Sequence, residues 1–254
     1  MNTASKNTTS LKERIKQNEN NQTFNLNTWA FSKIFTTIEP INILEMCCGT
    51  GKQTEYLCKH FSNSHITAID ISSDSICSIE AASFFDSSKI STKVISMDEF
   101  FDTNLKKYDV VFISYGLYYS TNIDKLITMI VESLNPNGKF IVLGSYGNSN
   151  KTLFNLIEES GVKINEFVLY SCTNFMYDKV VYPGITHFKD IQINTIINTI
   201  RWNSVEDVIS YWKNSTFFDE TKKIIVEYNL QKHFEINNTF NVDKNIMLFQ
   251  GIKS

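Results

Sequence analysis

The chain is poor in the residues that break or cross-link structure, with three prolines and nine glycines among 254 residues. That scarcity excludes a collagen-like or Pro/Gly-rich disordered polymer. The five cysteines, Cys47, Cys48, Cys58, Cys77 and Cys172, are odd in number and show no C-x-x-C spacing. A disulfide framework or zinc site is therefore disfavoured, and reduced thiols with no bound metal are expected. No apolar run approaches the ~20 residues that a membrane helix requires. No basic block offers a groove to nucleic acid, which is disfavoured as a partner. The polar stretch Met1–Gln22 lacks the apolar centre of a secretory signal. We expect a cytoplasmic protein with no membrane partner, in which the sequons at Asn7, Asn21, Asn214 and Asn237 stay unmodified.

What is present suffices for a sizeable core: 42 % of residues are hydrophobic, and 24 basic against 27 acidic residues leave a net charge of −3. One large domain, or a domain with an insertion, fits this length. Ile41–Met46, Ile66–Ile71, Lys93–Met97, Asp109–Ser114 and Lys139–Ser145 read as short buried strands. Helical patterns alternate with them over Lys52–Phe61, Asp74–Phe85 and Ile123–Leu134. The strongest is the last, with Ile123, Leu126, Ile127, Ile130 and Leu134 on one face. Asn135-Pro136-Asn137-Gly138 reads as a turn. This alternation calls for an α/β fold, a doubly wound and mostly parallel sheet.

The flanks are organised differently. Ser10 to Glu13 fits a capping box for a helix near Leu11, residues 17–27 read as a hinge, and Phe31, Ile34, Phe35 and Ile38 give a helical face ending before Pro40. Beyond Ser145 we expect a helix stopped by Gly161, aromatic-rich segments at 164–170 and 175–182, and a strand at Ile191–Ile200. A helix capped at Ser204, a final helix at about 220–233 and strands near Phe234–Asn241 and Asn245–Ile252 follow. The expected division is a helical cap (1–40), an α/β core (41–145), an insertion or lid (146–218), and a C-terminal helix with antiparallel strands (219–254).

The chemistry is concentrated at the end of the first strand. Glu45-Met-Cys47-Cys-Gly49-Thr-Gly51 is an acid followed by a small-residue turn, and Asp70 ends the second strand nineteen residues after Gly51. A glycine turn lets a ligand lie against bare backbone at a helix N-terminus, and an acid at the next strand end can hold a ribose diol. A nucleoside-containing cofactor follows. A P-loop fails, because Met46 stands at its first glycine and Gln53 follows Lys52. A dinucleotide loop lacks its third glycine at Thr54 and would set Glu45 against a pyrophosphate.

The same string resembles the first motif of class I S-adenosylmethionine-dependent methyltransferases, [D/E]-x-G-x-G-x-G, with Cys47 replacing the first glycine. The resemblance runs over residues 41–145. It implies a Rossmann-like, seven-stranded sheet with a lid insertion, and S-adenosyl-L-methionine as cofactor. It implies cofactor contacts from Glu45, Cys47, Gly49, Thr50, Gly51, Asp70, Ile71, Met97, Asp98, Ser114 and Tyr115. Asp70 would hold the ribose and Asp98 would accept from the adenine amino group. Tyr118 and Tyr119 fall where the family meets its substrate. Leu134-Asn-Pro136-Asn-Gly138 matches the family's turn before the fifth strand.

The expected activity is methyl transfer to N, O, S or C of a small-molecule acceptor. The sequence names no general base. Tyr118 and His187 are the candidates, and Trp29 and Phe31 are candidates to fold over the cofactor. Ser114-Tyr115-Gly116-Leu117 stands where nucleobase amino-methylating enzymes carry [D/N/S]-P-P-[Y/F], so that class is disfavoured. The alternatives are a non-catalytic S-adenosylmethionine-binding sensor or scaffold, and an NAD(P)-dependent oxidoreductase. Cys47 and Cys48 also have a plain reading as small residues filling the loop.

Overall fold

Four of the six residues Ile41–Met46 are apolar, and the chain uses them as the centre of a sheet. The computed structural model describes residues 8–254. Strand β1 (Asn42–Met46) is buried from Ile43 onward. It lies between β2 (His65–Asp70) and β4 (Tyr108–Ser114), parallel to both: Met46 is opposite Ile69 on one side and Ile113 on the other. β3 (Ile90–Val94) extends the sheet beyond β2, and β5 (Leu134–Ser145) lies parallel to β4. With β6 (Phe188–Trp202) and β7 (Phe240–Lys253) the order is β3-β2-β1-β4-β5-β7-β6. The order reverses between β1 and β4, and a ligand in such a sheet binds outside the carboxyl ends of the strands at that point.

The chain packs as two compact units, and β6 and β7 contribute residues to both. One unit comprises Asn27–Gly144, Met176–Thr195 and Met247–Ser254. It holds β1 to β4 and most of β5, with helices α2 (Leu26–Lys33), α3 (Lys52–His60), α4 (Ser73–Glu80), α5 (Met97–Thr103) and α6 (Ile123–Ser133) in the connections. Ile43, Leu44, Ile69, Val110, Phe112 and Ile141 are fully buried there. Each such side chain contributes about 1.5–3 kcal/mol relative to exposure.

The second unit comprises residues 8–26, Ser145–Phe175 and Ile196–Ile246. It contains α1 (Thr8–Asn21), α7 (Lys151–Glu159), α8 (Glu166–Thr173), α10 (Val205–Lys213) and α11 (Lys223–Ile236), while α9 (Tyr182–His187) belongs to the first unit. Its own core joins Leu153, Phe154 and Ile157 to Trp202, Trp212, Val226, Leu230 and Phe240. The aromatic density of this half of the sequence is thus largely core. Among the described residues no helix is long and apolar enough to cross a membrane.

Several boundaries differ from the sequence reading, each for a local reason. α1 runs through residues 17–21, where side-chain bonds such as Asn21 to the Gln17 carbonyl (2.8 Å) support it, so only residues 22–25 remain as the hinge. α2 stops at Lys33, and Ile38 is exposed. α4 ends at Glu80 because the chain turns through Ala81. The third strand is Ile90–Val94, and Ser96 caps α5, so Met97 is helical. Asn135–Gly138 does not separate helix from strand. Tyr108 is opposite Leu134 and Val110 opposite Lys139, so these residues bulge out of β5. Residues 234–236 complete α11, and one strand, β7, stands where two were expected. The sequon at Asn7 lies outside the described residues.

Candidate functional site

At the carboxyl end of β1 the chain makes a turn that most side chains would strain. Cys47, Gly49 and Gly51 all have positive φ, at 57°, 53° and 83°. Gly51 caps α3 in the left-handed region. A side chain there would be strained, and its Cβ would lie 2.6 Å from Ile79 Cγ1. Cys47 takes a left-handed conformation without being glycine. Its side chain fits because Gly116 faces it: a Cβ on Gly116 would lie 2.3 Å from Cys47 Cβ. The space lost at position 47 is therefore returned at position 116, a residue that the motif reading passed over. Cys47 Sγ lies 3.6 Å from Met97 Sδ.

Asp70 holds this turn together. Its Oδ2 accepts from the Gly49 amide and its Oδ1 from the Ser72 amide, both at 2.9 Å. A carboxylate accepts more than one hydrogen bond per oxygen, so both oxygens retain acceptor capacity toward a ribose diol. Ile71 is exposed beside it and Thr50 is half-buried in the turn.

Glu45 is 2 % exposed, and its Oε2 has no hydrogen-bond partner. The Thr54 hydroxyl is near enough to favour the anion but is itself without a well-formed hydrogen bond. Burial, reinforced by Asp70, pushes the Glu45 carboxyl up to about 8. An uncompensated buried carboxyl is costly to ionise unless a cation arrives. The Cys47 thiol is pushed far up by burial and then by Asp70, Asp98 and Glu45. Burial pushes Cys48 up as well. Neither is a thiolate nucleophile, and acidic groups surround Cys47.

Met97 is buried at the start of α5, and Asp98 follows it on the helix's first turn. Asp98 ties down the loop after β4: Ser120 Oγ donates to its Oδ1 at 2.5 Å, and the Thr121 amide and hydroxyl donate to its Oδ2 at 2.8 and 2.7 Å. Although partial burial opposes it, those bonds hold the Asp98 carboxyl below the usual range. Its first role is therefore to brace a loop. Ser120 and Thr121 were missed, and their place before the Asn122-capped α6 was the available signal.

β4 ends in Ser114, whose hydroxyl is buried without a partner, and Tyr115, whose φ of 52° is strained for a bulky residue. Tyr118 and Tyr119 lie in the 3-10 turn Leu117–Tyr119, half-buried, with ring centres 4.6 Å apart. Glu45, Cys47, Asp70, Met97, Asp98, Ser114 and Tyr115 thus all lie at the carboxyl ends of β1 to β4 or in the turns that follow. His187 does not join them. Its carbonyl accepts from Ser254 (3.4 Å), while Lys253 donates to Leu134 at the start of β5 (2.7 Å), so it lies at the amino-terminal edge. Phe31 is packed inward, 5.3 Å from the Tyr56 ring and 6.0 Å from Phe112.

Comparison with known proteins agrees with this geometry. A family model described as a methyltransferase domain matches residues 43–138. A putative methyltransferase from Bacillus halodurans superposes with a TM-score of 0.59 at 9 % identity, covering 90 % of this chain and 98 % of that one. The YcgJ protein of Bacillus subtilis gives 0.58 at 10 % identity, covering 89 % and 97 %. A phosphoethanolamine N-methyltransferase of Haemonchus contortus, solved with S-adenosylhomocysteine, gives 0.52 at 13 % identity and covers 91 % of this chain. The chain spans 52 % of that relative's length. No curated protein matches in sequence. The fold is that of class I S-adenosylmethionine-dependent methyltransferases, and residues 43–138 match a methyltransferase domain, which implies S-adenosyl-L-methionine as cofactor.

Proposed function

We propose that this chain transfers a methyl group from S-adenosyl-L-methionine to N, O, S or C of a small-molecule acceptor by in-line displacement. The observation that carries the reading is Glu45, a buried carboxyl with an unpartnered oxygen beside a glycine turn. A pyrophosphate would repel it, whereas the sulfonium and ammonium groups of S-adenosylmethionine would satisfy it. Asp70 would hold the ribose hydroxyls, the turn Gly49–Gly51 would admit the methionine portion, and Met97 and Tyr115 would flank the adenine.

The bound cofactor supplies an already activated methyl group. The chain's residues then have to align two partners and exclude water, and alignment alone can lower a barrier by up to roughly 7–11 kcal/mol. Aromatic faces such as those of Tyr118 and Tyr119 suit a dispersed positive charge. A base is required only for an acceptor that keeps its proton at neutral pH, and Tyr118 is the remaining candidate. The substrate class is supported by the absence of a nucleobase-type motif after β4. Structural relatives solved with small molecules, such as geranyl diphosphate in the Streptomyces coelicolor C-methyltransferase, are consistent with it.

The test is turnover of radiolabelled S-adenosylmethionine against a panel of small acceptors. Label transfer to an acceptor is the expected outcome. Tight binding of S-adenosylhomocysteine with no transfer to any acceptor would favour a sensor or scaffold. A thermal shift with NADH and none with S-adenosylhomocysteine would overturn the cofactor assignment. At 100 times its dissociation constant a ligand adds about 2.7 kcal/mol.

A further inference from the structure

The second unit encloses a cation whose partners are neutral. Lys244, on β7, is half-buried. Its ammonium donates to Asn150 Oδ1 and, at 2.9 Å, to the Tyr211 hydroxyl, and it lies 4.6 Å from the centre of the Tyr211 ring. Asn150 and Tyr211 are each 8 % exposed. The adjacent Asp243 does not neutralise the charge. Its Oδ1 accepts from Thr199 Oγ1 at 2.7 Å, and successive strand residues point to opposite faces.

The backbone at this corner has the same polarity. Asn150 caps α7 in a left-handed conformation (φ 66°) but gives the helix no side-chain hydrogen bond, because its amide is committed to Lys244 and Cys172. The Lys151 amide donates to the Asn148 carbonyl at 3.1 Å, and the first-turn N–H groups that follow it in α7 receive no side-chain cap from Asn150 and form the positive end of the helix dipole. The preceding residue, Ser149, is 1 % exposed, and its hydroxyl has no partner. An ammonium carries three N–H bonds, of which two are engaged here. The Tyr211 hydroxyl accepts from Lys244 and keeps its own proton to donate.

We propose that Lys244, the Tyr211 hydroxyl and the start of α7 bind the anionic group, a carboxylate or a phosphate, of a small molecule. A phosphate or carboxylate would complete the third N–H of Lys244, accept from Tyr211 and meet the uncapped helix end, each a charge-assisted bond. The site stands on residues of the second unit alone and is independent of the methyl-transfer reading. The competing view is a purely structural brace, in which Lys244 only ties β7 to α7 and α10.

Titration of the full chain with inorganic phosphate and, separately, with citrate, at an ionic strength held by chloride, separates the two. Heat and the emission of Trp202, whose ring centre is 5.1 Å from that of Tyr211, report binding. Saturable binding of at least one anion is expected, weakened about tenfold or more in Lys244→Gln and less in Tyr211→Phe, which keeps the ring. A response to phosphate alone assigns a phosphoryl group, and a response to citrate alone a carboxylate. Stabilisation by S-adenosylhomocysteine should be equal in the wild type and both variants, so its loss everywhere would indict the cofactor reading and not this site. No saturable binding of either anion, or unchanged affinity in folded Lys244→Gln, overturns the proposal. If that variant does not fold, unchanged affinity in Tyr211→Phe does so.

Discussion

Two strand-to-helix turns in this chain enter their helices through a left-handed residue that offers no side-chain cap: Gly51 before α3 and Asn150 before α7. Their surroundings carry opposite charge. The first is set among Glu45, Asp70 and Asp98, the second beside Lys244. Helix N-termini alone favour anions, so the carboxyls around the first turn work against its intrinsic preference. They make sense when the ligand is cationic. The second turn keeps the preference and adds to it. The lesson is that a helix N-terminus supplies geometry, and the neighbouring side chains set the sign of the guest.

The largest effect is expected at Gly51. Alanine there combines left-handed strain with a clash against Ile79, and we expect a loss of about 2–5 kcal/mol in denaturant unfolding. Stability within error of the wild type would mean that the turn does not have this geometry. Asp70→Ala removes the acceptor for the Gly49 amide and the proposed ribose contact. Calorimetric affinity for S-adenosylhomocysteine should fall at least about tenfold, and an unchanged affinity would take Asp70 out of the site. The smallest effect is expected for Asn150→Gly. Glycine accepts the left-handed conformation, so the strain relieved offsets the partner that Lys244 loses. The change in stability should stay within about 1 kcal/mol, and a larger loss by thermal unfolding would show that the amide bond to Lys244 is a major structural tie.

The first turn and its sheet were legible because their constraints are local. Alternation placed β1, β4 and α6 within a residue or so, since a strand buried on both faces and a helix with one apolar stripe leave distinct patterns. The spacing from Gly51 to Asp70 reflects one helix and one strand, so the acid's place at the sheet edge could be read directly. What was not legible depends on partners distant in sequence. The exchange of space between Cys47 and Gly116 joins residues in the turns that follow two different strands. The engagement of Asp98 by Ser120 and Thr121 depends on how the loop after β4 folds back. Asn135–Gly138 has turn composition yet lies within β5, because composition reports a local bend and not which strand resumes after it. In the second unit the aromatic residues gave no periodicity that separates core from pocket. Lys244, Tyr211 and Asn150 come from three separate elements, and no spacing rule links them.

The central claim is that the buried carboxyl of Glu45 matches a cationic ligand. Without a cation, the raised pKa means that Glu45 is protonated in the folded state below about 8 and ionised in the unfolded state above about 4.5. Stability from this group is complete at low pH and is lost as pH rises through that window. A bound cation favours the carboxylate, so it must expel the proton below pH 8. The direct measurement is calorimetric titration of S-adenosylmethionine from pH 6 to pH 9 into the wild type and Glu45→Gln, in buffers of different ionisation heat. Proton release and rising affinity up to about pH 8 are expected in the wild type. Neither is expected in Glu45→Gln, and S-adenosylhomocysteine, which lacks the sulfonium charge, should show a weaker pH dependence. A flat wild-type profile without proton release, or the same profile in Glu45→Gln, would contradict the match of Glu45 to a cationic ligand.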